Sequence, residues 1–527
     1  MTLSLLFLAL VINLNVVQVV KGGSYRNDSR NQRVLLNEYS TPRGQIVVGG
    51  TAIAESKATK DELKYLRVYP QGPVYAPATG YYSFTHGATG IESAENDILS
   101  GDSAQLFTNR LTDILTGRNP TGGSVQLSLS RAAQVAAYNA MKTDNGTFKR
   151  GAVVALDPQT GAILALVSTP SFDPNRVSTH KSAANAKAYR QYINAKNQPM
   201  LNRALQQNYP AGSIFKIIDS AAALQIGIKP DDRIPAANAY WPLQPKRTTP
   251  CPTNLSAPCV ENFEGEACDN GQTATLAFAF AKSCNTAFAA LANRIGGNGV
   301  TGIAKKAHDF GFDLPYSGSN PPDFCTPPAM TIPLSVCRST PGSQSDMDDP
   351  AALAQTSFGQ RDVRITPMQA AMLSAAVANN GTLMKPYLVQ CELRPNLSTL
   401  DTTEPQQVRQ VIDTDLDQEL ITMMEGVVNS PEGTGGPANI TDLGPSVVVG
   451  GKTGTADTGI TSASGSKPDA WFTGFALQQG VPKIAVAVVM ENAGVSGNEF
   501  TGGEAAGPVA KDVMEAYLKS TPAGNNC

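Results

Sequence analysis

A chain of 527 residues, 41% hydrophobic and 16% charged, is globular rather than disordered and too long for one ordinary core, so two or more domains are expected. With 41 basic against 44 acidic residues and a net charge of -3, no basic field points to nucleic acid as a partner. The three histidines, His86, His180 and His308, stand far apart without Cys or Asp/Glu at ligand spacing, which argues against a histidine triad or a zinc site.

The N-terminus departs from this composition. Residues 3–20 carry no charge and hold the dense run LLFLALVI from Leu5 to Ile12, a stretch just long enough to span a bilayer. It continues as VVQVVK into Lys21 with only a weak Gly22-Gly23-Ser24 cleavage candidate, which favours an uncleaved signal-anchor over 1–21. Lys21, Arg26, Arg30 and Arg33 follow the run and no basic residue precedes it. Charge alone would keep the body cytoplasmic, but long domains translocate largely regardless of flanking charge. The expectation is a single-pass membrane protein with its body on the extracytoplasmic face.

Between 22 and 147 the chain holds Arg43 and Gly44 in a turn before the strand-like QIVV at 45–48, a helical LFTNRLTDILTG at 106–117 and a strand-like SVQLSLS at 124–130. No catalytic constellation occurs there, so a non-catalytic pedestal is expected. From Arg150 the texture changes. GAVVALDPQTGAILALVS reads as two apolar strands around a D-P-Q-T-G turn, and a second domain is placed over 148–527.

In that domain YPAGSIFKIID, at 209–219, sets Ser213 and Lys216 three apart at the start of a buried helix that continues to Gly227. A serine is a weak nucleophile until a base takes its proton, and a lysine can be that base only when neutral. Burial, a second cation and a helix N-terminus each disfavour the ammonium form. Alone, S-x-x-K is a weak signal, with a capping serine as the plain alternative. Two further motifs follow: KSCNT at 282–286, which places Ser283 and Asn285 as S-x-N, and KTGT at 452–455.

Cys251, Cys259, Cys268, Cys284, Cys325, Cys337, Cys391 and Cys527 form no C-x-x-C. Six of them crowd residues 251–337, which suggests disulfides on an extracytoplasmic surface. We expect Cys268 to pair with Cys284, since that bridge would pin the S-x-N segment. Near the end SVVVGGKTGTA, DAWFTGFAL and KIAVAVVMEN read as three strands, followed by a helix from about Glu504 to Leu518. Strands at both ends of the domain with helices between imply one sheet assembled from both termini, an α+β fold. VVVGGKT also ends like a phosphate-binding loop, but Ser446 stands where that motif needs its first glycine and the valines make a strand. Gly450, Gly451 and Gly454 suit close approach of a substrate backbone.

S-x-x-K, then S-x-N, then K-T-G is the motif set of penicillin-binding proteins and serine beta-lactamases. NRALQQNYPAGSIFK, AFAKSCNTAFAALA, TSFGQRDVRITPMQAAMLSAAVANNGTLMKPYLV and GGKTGTAD resemble transpeptidase-domain segments of that family, and the Arg43 turn resembles the R-G-x-I segment of its class B members, here of the actinobacterial type. The resemblance implies an antiparallel-sheet transpeptidase domain on a pedestal or dimerisation-type domain with one membrane anchor. It implies Ser213 as nucleophile, Lys216 as base, Ser283 as proton relay and Asn285 as a contact for the substrate amide or for Lys216. Lys452, Thr453, Gly454 and Thr455 would hold the donor's terminal carboxylate, and the backbone N–H groups of Ser213 and Thr455 the oxyanion. No metal or organic cofactor is needed.

The implied reaction is cross-linking of peptidoglycan stem peptides ending in D-Ala-D-Ala, in cell growth or division, with beta-lactams as covalent inhibitors. A SEDS-type membrane glycosyltransferase and other elongation or division proteins are the implied partners. A D,D-carboxypeptidase or a beta-lactamase-like hydrolase shares the motifs, but no glutamate occurs between Cys284 and Cys391 to activate a deacylating water. A catalytically silent beta-lactam sensor or scaffold is the alternative of another class.

Overall fold

The computed structural model describes residues 10, 13–14, 16–17, 39–106, 121–247, 249–252, 258–315, 332–456, 468–493, 501–520 and 527. The expected anchor lies almost wholly outside them, and no helix among them is long and apolar enough to cross a membrane. The helix expected over 106–117 also falls outside, apart from Leu106, which closes a 3-10 turn at Ala104–Leu106.

β1 (Ile46–Val48) pairs antiparallel with β2 (Thr51–Ala58), and β2 with β3 (Tyr65–Val68). β4 (Ser124–Leu127) lies parallel to β1 on its other side. The turn before β1 is fixed by buried charge: Glu92 accepts from Arg43 Nε at 2.7 Å, from Arg67 Nε at 2.6 Å and from the Tyr69 hydroxyl at 3.1 Å. Arg67 also reaches back to the Gly44 carbonyl at 2.6 Å. All four side chains are buried, so each carboxylate oxygen must be paired or the cluster would not tolerate its charge.

After α1 (Arg131–Ala140) the chain enters β5 (Gly151–Leu156) and β6 (Ile163–Thr169), the expected hairpin. Every residue of both strands is buried, which explains runs of apolar residues without alternation. The helical region follows: α2 (Lys216–Gln225), α3 (Leu276–Ala281), α4 (Asn285–Ile295) and α5 (Pro367–Ala378). All twelve residues of α5 are buried. That helix lies against one face of the main sheet, while α1 and the C-terminal helix cover the other.

β7 (Val389–Leu393) and β8 (Thr399–Thr402) then leave this domain and join the first sheet, whose order is β8-β7-β4-β1-β2-β3. The pedestal is thus completed by residues far outside 22–147, and Cys391 on β7 is disulfide-bonded to Cys527. The chain closes with α6 (Thr414–Asn429), β9 (Val447–Ala456), β10 (Asp469–Gln478), β11 (Val481–Met490), α7 (Gly502–Ala505) and α8 (Gly507–Lys519). The main sheet has the order β9-β10-β11-β5-β6 and is antiparallel throughout, assembled from both ends of the domain as expected. β9 is an edge strand.

Candidate active site

The segment carrying Ser213 is set by glycine. Gly212 has φ +55 and donates its N–H to the Gly359 carbonyl at 3.1 Å, and a Cβ there would stand 2.9 Å from the Thr455 carbonyl oxygen. The helix expected from Ser213 opens instead as a 3-10 turn, Gly212–Phe215, that runs into α2. Residues i and i+3 eclipse in that winding, so Ser213, half-buried, and Lys216, fully buried, stand one above the other.

The second motif reaches the same point from the α3–α4 junction. Ser283 has φ +64, a left-handed backbone that costs a non-glycine residue about 1–2 kcal/mol. The turn is held by backbone bonds from Ser283 to Phe280 and from Cys284 to Ala279, and by the Cys268–Cys284 disulfide, the pairing expected from the sequence. Lys216 Nζ lies 2.7 Å from the Ser283 carbonyl oxygen, 2.8 Å from Asn285 Oδ1 and 3.2 Å from Ser283 Oγ. From the opposite wall, Lys452 Nζ donates to Ser283 Oγ at 2.8 Å and to the Thr453 carbonyl at 3.1 Å. Two lysines, both without solvent exposure, therefore meet on one hydroxyl.

Their electrostatics follow from that burial. Burial holds Lys216 well below the usual lysine range; the charge of Lys452 adds to the effect, and Asp219 opposes it. Burial alone brings Lys452 down to about 7. Phe288 and Phe280 place ring centroids 5.4 and 5.6 Å from the two Nζ atoms, a partial replacement for lost water. Asp219, one helix turn after Lys216, is fully buried with neither carboxyl oxygen hydrogen-bonded among the described residues, and burial raises its carboxyl well above the usual range. Sequence reading passed over it as part of an apolar run.

Ser213, Ser283, Asn285, Thr453 and Thr455 all line one cleft of about 530 Å³. Thr453 Oγ1 is 2.6 Å from Thr434 Oγ1, so a threonine outside the three motifs orients a hydroxyl of β9. Gly450, Gly451 and Gly454 are each required by the protein's own packing. A Cβ at each would first meet the Phe475 ring, the Phe472 ring, and Ile214 with Trp471, respectively. Two glutamates also line the cleft, Glu266 and Glu504, from segments on either side of the 285–390 stretch that lacks glutamate. Glu266 is paired with Lys282 at 2.8 Å.

The chain matches the penicillin binding protein transpeptidase domain over residues 151–515 and the penicillin binding protein A dimerisation domain over residues 43–125. It belongs to the penicillin-binding protein transpeptidase family. Within it, the chain is 41% identical to peptidoglycan D,D-transpeptidase PbpA of Mycolicibacterium smegmatis, covering 98% of this chain and 96% of that protein. It is 39% identical to PbpA of Mycobacterium tuberculosis, covering 99% and 98%. Among solved structures, penicillin-binding protein A of M. tuberculosis as its ceftriaxone acyl-enzyme superposes with a TM-score of 0.80 at 39% identity, covering 92% of this chain and all of that one. The penicillin G acyl-enzyme of the same protein gives 0.79 at 38% identity, covering 91% and 100%.

Proposed function

We infer that this protein is a peptidoglycan D,D-transpeptidase that works through an acyl-enzyme on Ser213 and is blocked covalently by beta-lactams. The observation that carries the mechanism is the convergence of Lys216 and Lys452 on Ser283 beside Ser213. In this reading Lys216, kept neutral by burial and by Lys452, takes the Ser213 proton as Oγ attacks the carbonyl of the penultimate D-Ala. The oxyanion is received by the N–H groups of Ser213 and Thr455. Lys452, charged below about pH 7, and the hydroxyls of Thr453 and Thr455 hold the donor's terminal carboxylate against the open edge of β9. Ser283, touching both lysines, passes the proton from Lys216 to the departing D-Ala amine. An acceptor amine then attacks the ester, the new amide forms, and Ser213 regains its proton by the reverse route.

The cellular setting is part of the same proposal. The uncharged run at 3–20 serves as a single-pass anchor, and the three disulfides among the described residues support a body in the oxidising extracytoplasmic space. Nascent strands come from a SEDS-type glycosyltransferase docked on the pedestal. Incubation with penicillin G followed by intact-mass spectrometry tests the centre of the reading: a stable adduct of the antibiotic's mass, absent in Ser213→Ala. An adduct that forms and clears with antibiotic turnover would replace it with a hydrolase, and no adduct with a silent scaffold.

A further inference from the structure

The segment Thr501-Gly502-Gly503-Glu504 stands at the cleft mouth outside the three motifs. It is pressed onto β9. A Cβ on Gly502 would lie 2.3 Å from the carbonyl oxygens of Gly454 and Trp471, one on Gly503 would lie 2.0 Å from that of Thr434, and the Gly502 N–H reaches Thr455 Oγ1 at 3.4 Å. This contact fixes where Glu504 sits. A capping box fixes how it is turned: Glu504 Oε2 accepts from the Thr501 backbone N–H at 3.0 Å and from the Thr501 hydroxyl at 3.1 Å. Oε1 takes no hydrogen bond and the carboxylate has no ion pair among the described residues, and the side chain is exposed.

The charges of the cleft are thereby sorted. Lys452, buried behind the lining against Ser283, supplies positive charge below about pH 7, which suits the donor's carboxylate. Glu266 is neutralised by Lys282. Glu504 remains as the one anchored carboxylate in the lining without a cation among the described residues, a place for a positive group brought by the ligand. Of the reactants in the proposed transpeptidation, the acceptor is the one that is by definition an amine, and it is an ammonium in neutral solution before it attacks.

We propose that Glu504 is a specificity residue that recruits the ammonium group of the acceptor stem peptide; the assignment rests on the transpeptidase reading. Glu504→Gln in the full chain removes the charge and keeps a capping-box side chain. The assay follows amide formation from a D-Ala thioester donor, with a stem tripeptide bearing a free side-chain amine as acceptor. Hydroxylamine, largely uncharged at pH 7.5 or so, is the control nucleophile. The expected result is a rise of roughly fivefold in KM for the tripeptide. Its kcat, hydroxylamine trapping and the rate of penicillin adduct formation stay as in the parent. The KM rise also disappears as salt screens the parent's charge. An unchanged KM in the variant, or a penicillin adduct slowed or accelerated along with it, overturns the assignment while leaving transpeptidation in place. A parent protein that forms the penicillin adduct yet makes no amide with either nucleophile overturns both.

Discussion

The proposed mechanism gives Lys216 and Lys452, two residues of one type, opposite duties. Each is buried without a carboxylate at contact distance among the described residues, so the cluster disfavours two ammonium groups at once. In the proposed mechanism productive acylation needs Lys216 neutral and Lys452 charged. The rate of penicillin acylation should therefore be bell-shaped in pH, falling on the alkaline side as Lys452 loses its proton near about 7 and on the acid side as Lys216 gains one. Lys452→Arg carries a charge that does not titrate in this range, so its alkaline limb should vanish even if its maximal rate drops. Stopped-flow acylation between about pH 5 and 10 reads both limbs; an alkaline limb that survives in the arginine variant would assign it to another group. Ser283, by contrast, is chosen by backbone as well as by chemistry. Its left-handed φ turns Oγ toward both lysines and the carbonyl toward Lys216, and the next residue locks the turn by disulfide.

At the level of elements, the first sheet depends on one carboxylate. Glu92 joins the Arg43 turn before β1 to Arg67 on β3, and burial alone would raise its carboxyl. Arg67 and Arg43 overcome that and hold it below its ordinary value of 4.5. A depressed carboxylate contributes stability that is present above the unfolded-state value and is lost as pH falls through the folded one. Glu92→Ala should cost about 3–5 kcal/mol, because two buried guanidinium groups lose their partner. Thermal unfolding followed by circular dichroism checks this, and the gap between parent and variant should narrow below about pH 4 as the parent's Glu92 takes up a proton. A gap unchanged down to about pH 2 would show that packing, not charge, carries the loss.

At the scale of the whole molecule, the two domains share a sheet. β7 and β8 come from within the catalytic part, yet β7 pairs with β4 of the pedestal, Val389 facing Leu127 and Leu393 facing Ser124, and β8 extends the sheet beyond it. Removing the pedestal exposes the edge of β7 and the apolar face it covers, the usual origin of edge-to-edge aggregation. A chain cut to 148–527 should accordingly be aggregated or insoluble, whereas one beginning near residue 39 should elute as a folded species on size exclusion. A folded, penicillin-binding 148–527 would mean that the shared sheet is dispensable to the catalytic fold.

The sequence by itself determined the main sheet and the chemistry. The DPQTG hairpin, the three C-terminal strands and the serine–lysine pair are local patterns, in which a few neighbouring residues decide strand, turn or facing side chain. Only the tertiary structure decided which distant groups share the cleft. Asp219 reads as one polar letter in a buried helix; Thr434 and Glu504 belong to no motif, and the latter's segment is folded onto β9 by glycines whose contacts lie tens of residues away in the chain. Neither strand 389–393 nor its partner at 124–127 announces the other, because pairing across more than two hundred residues is set by what both bury once the chain has closed.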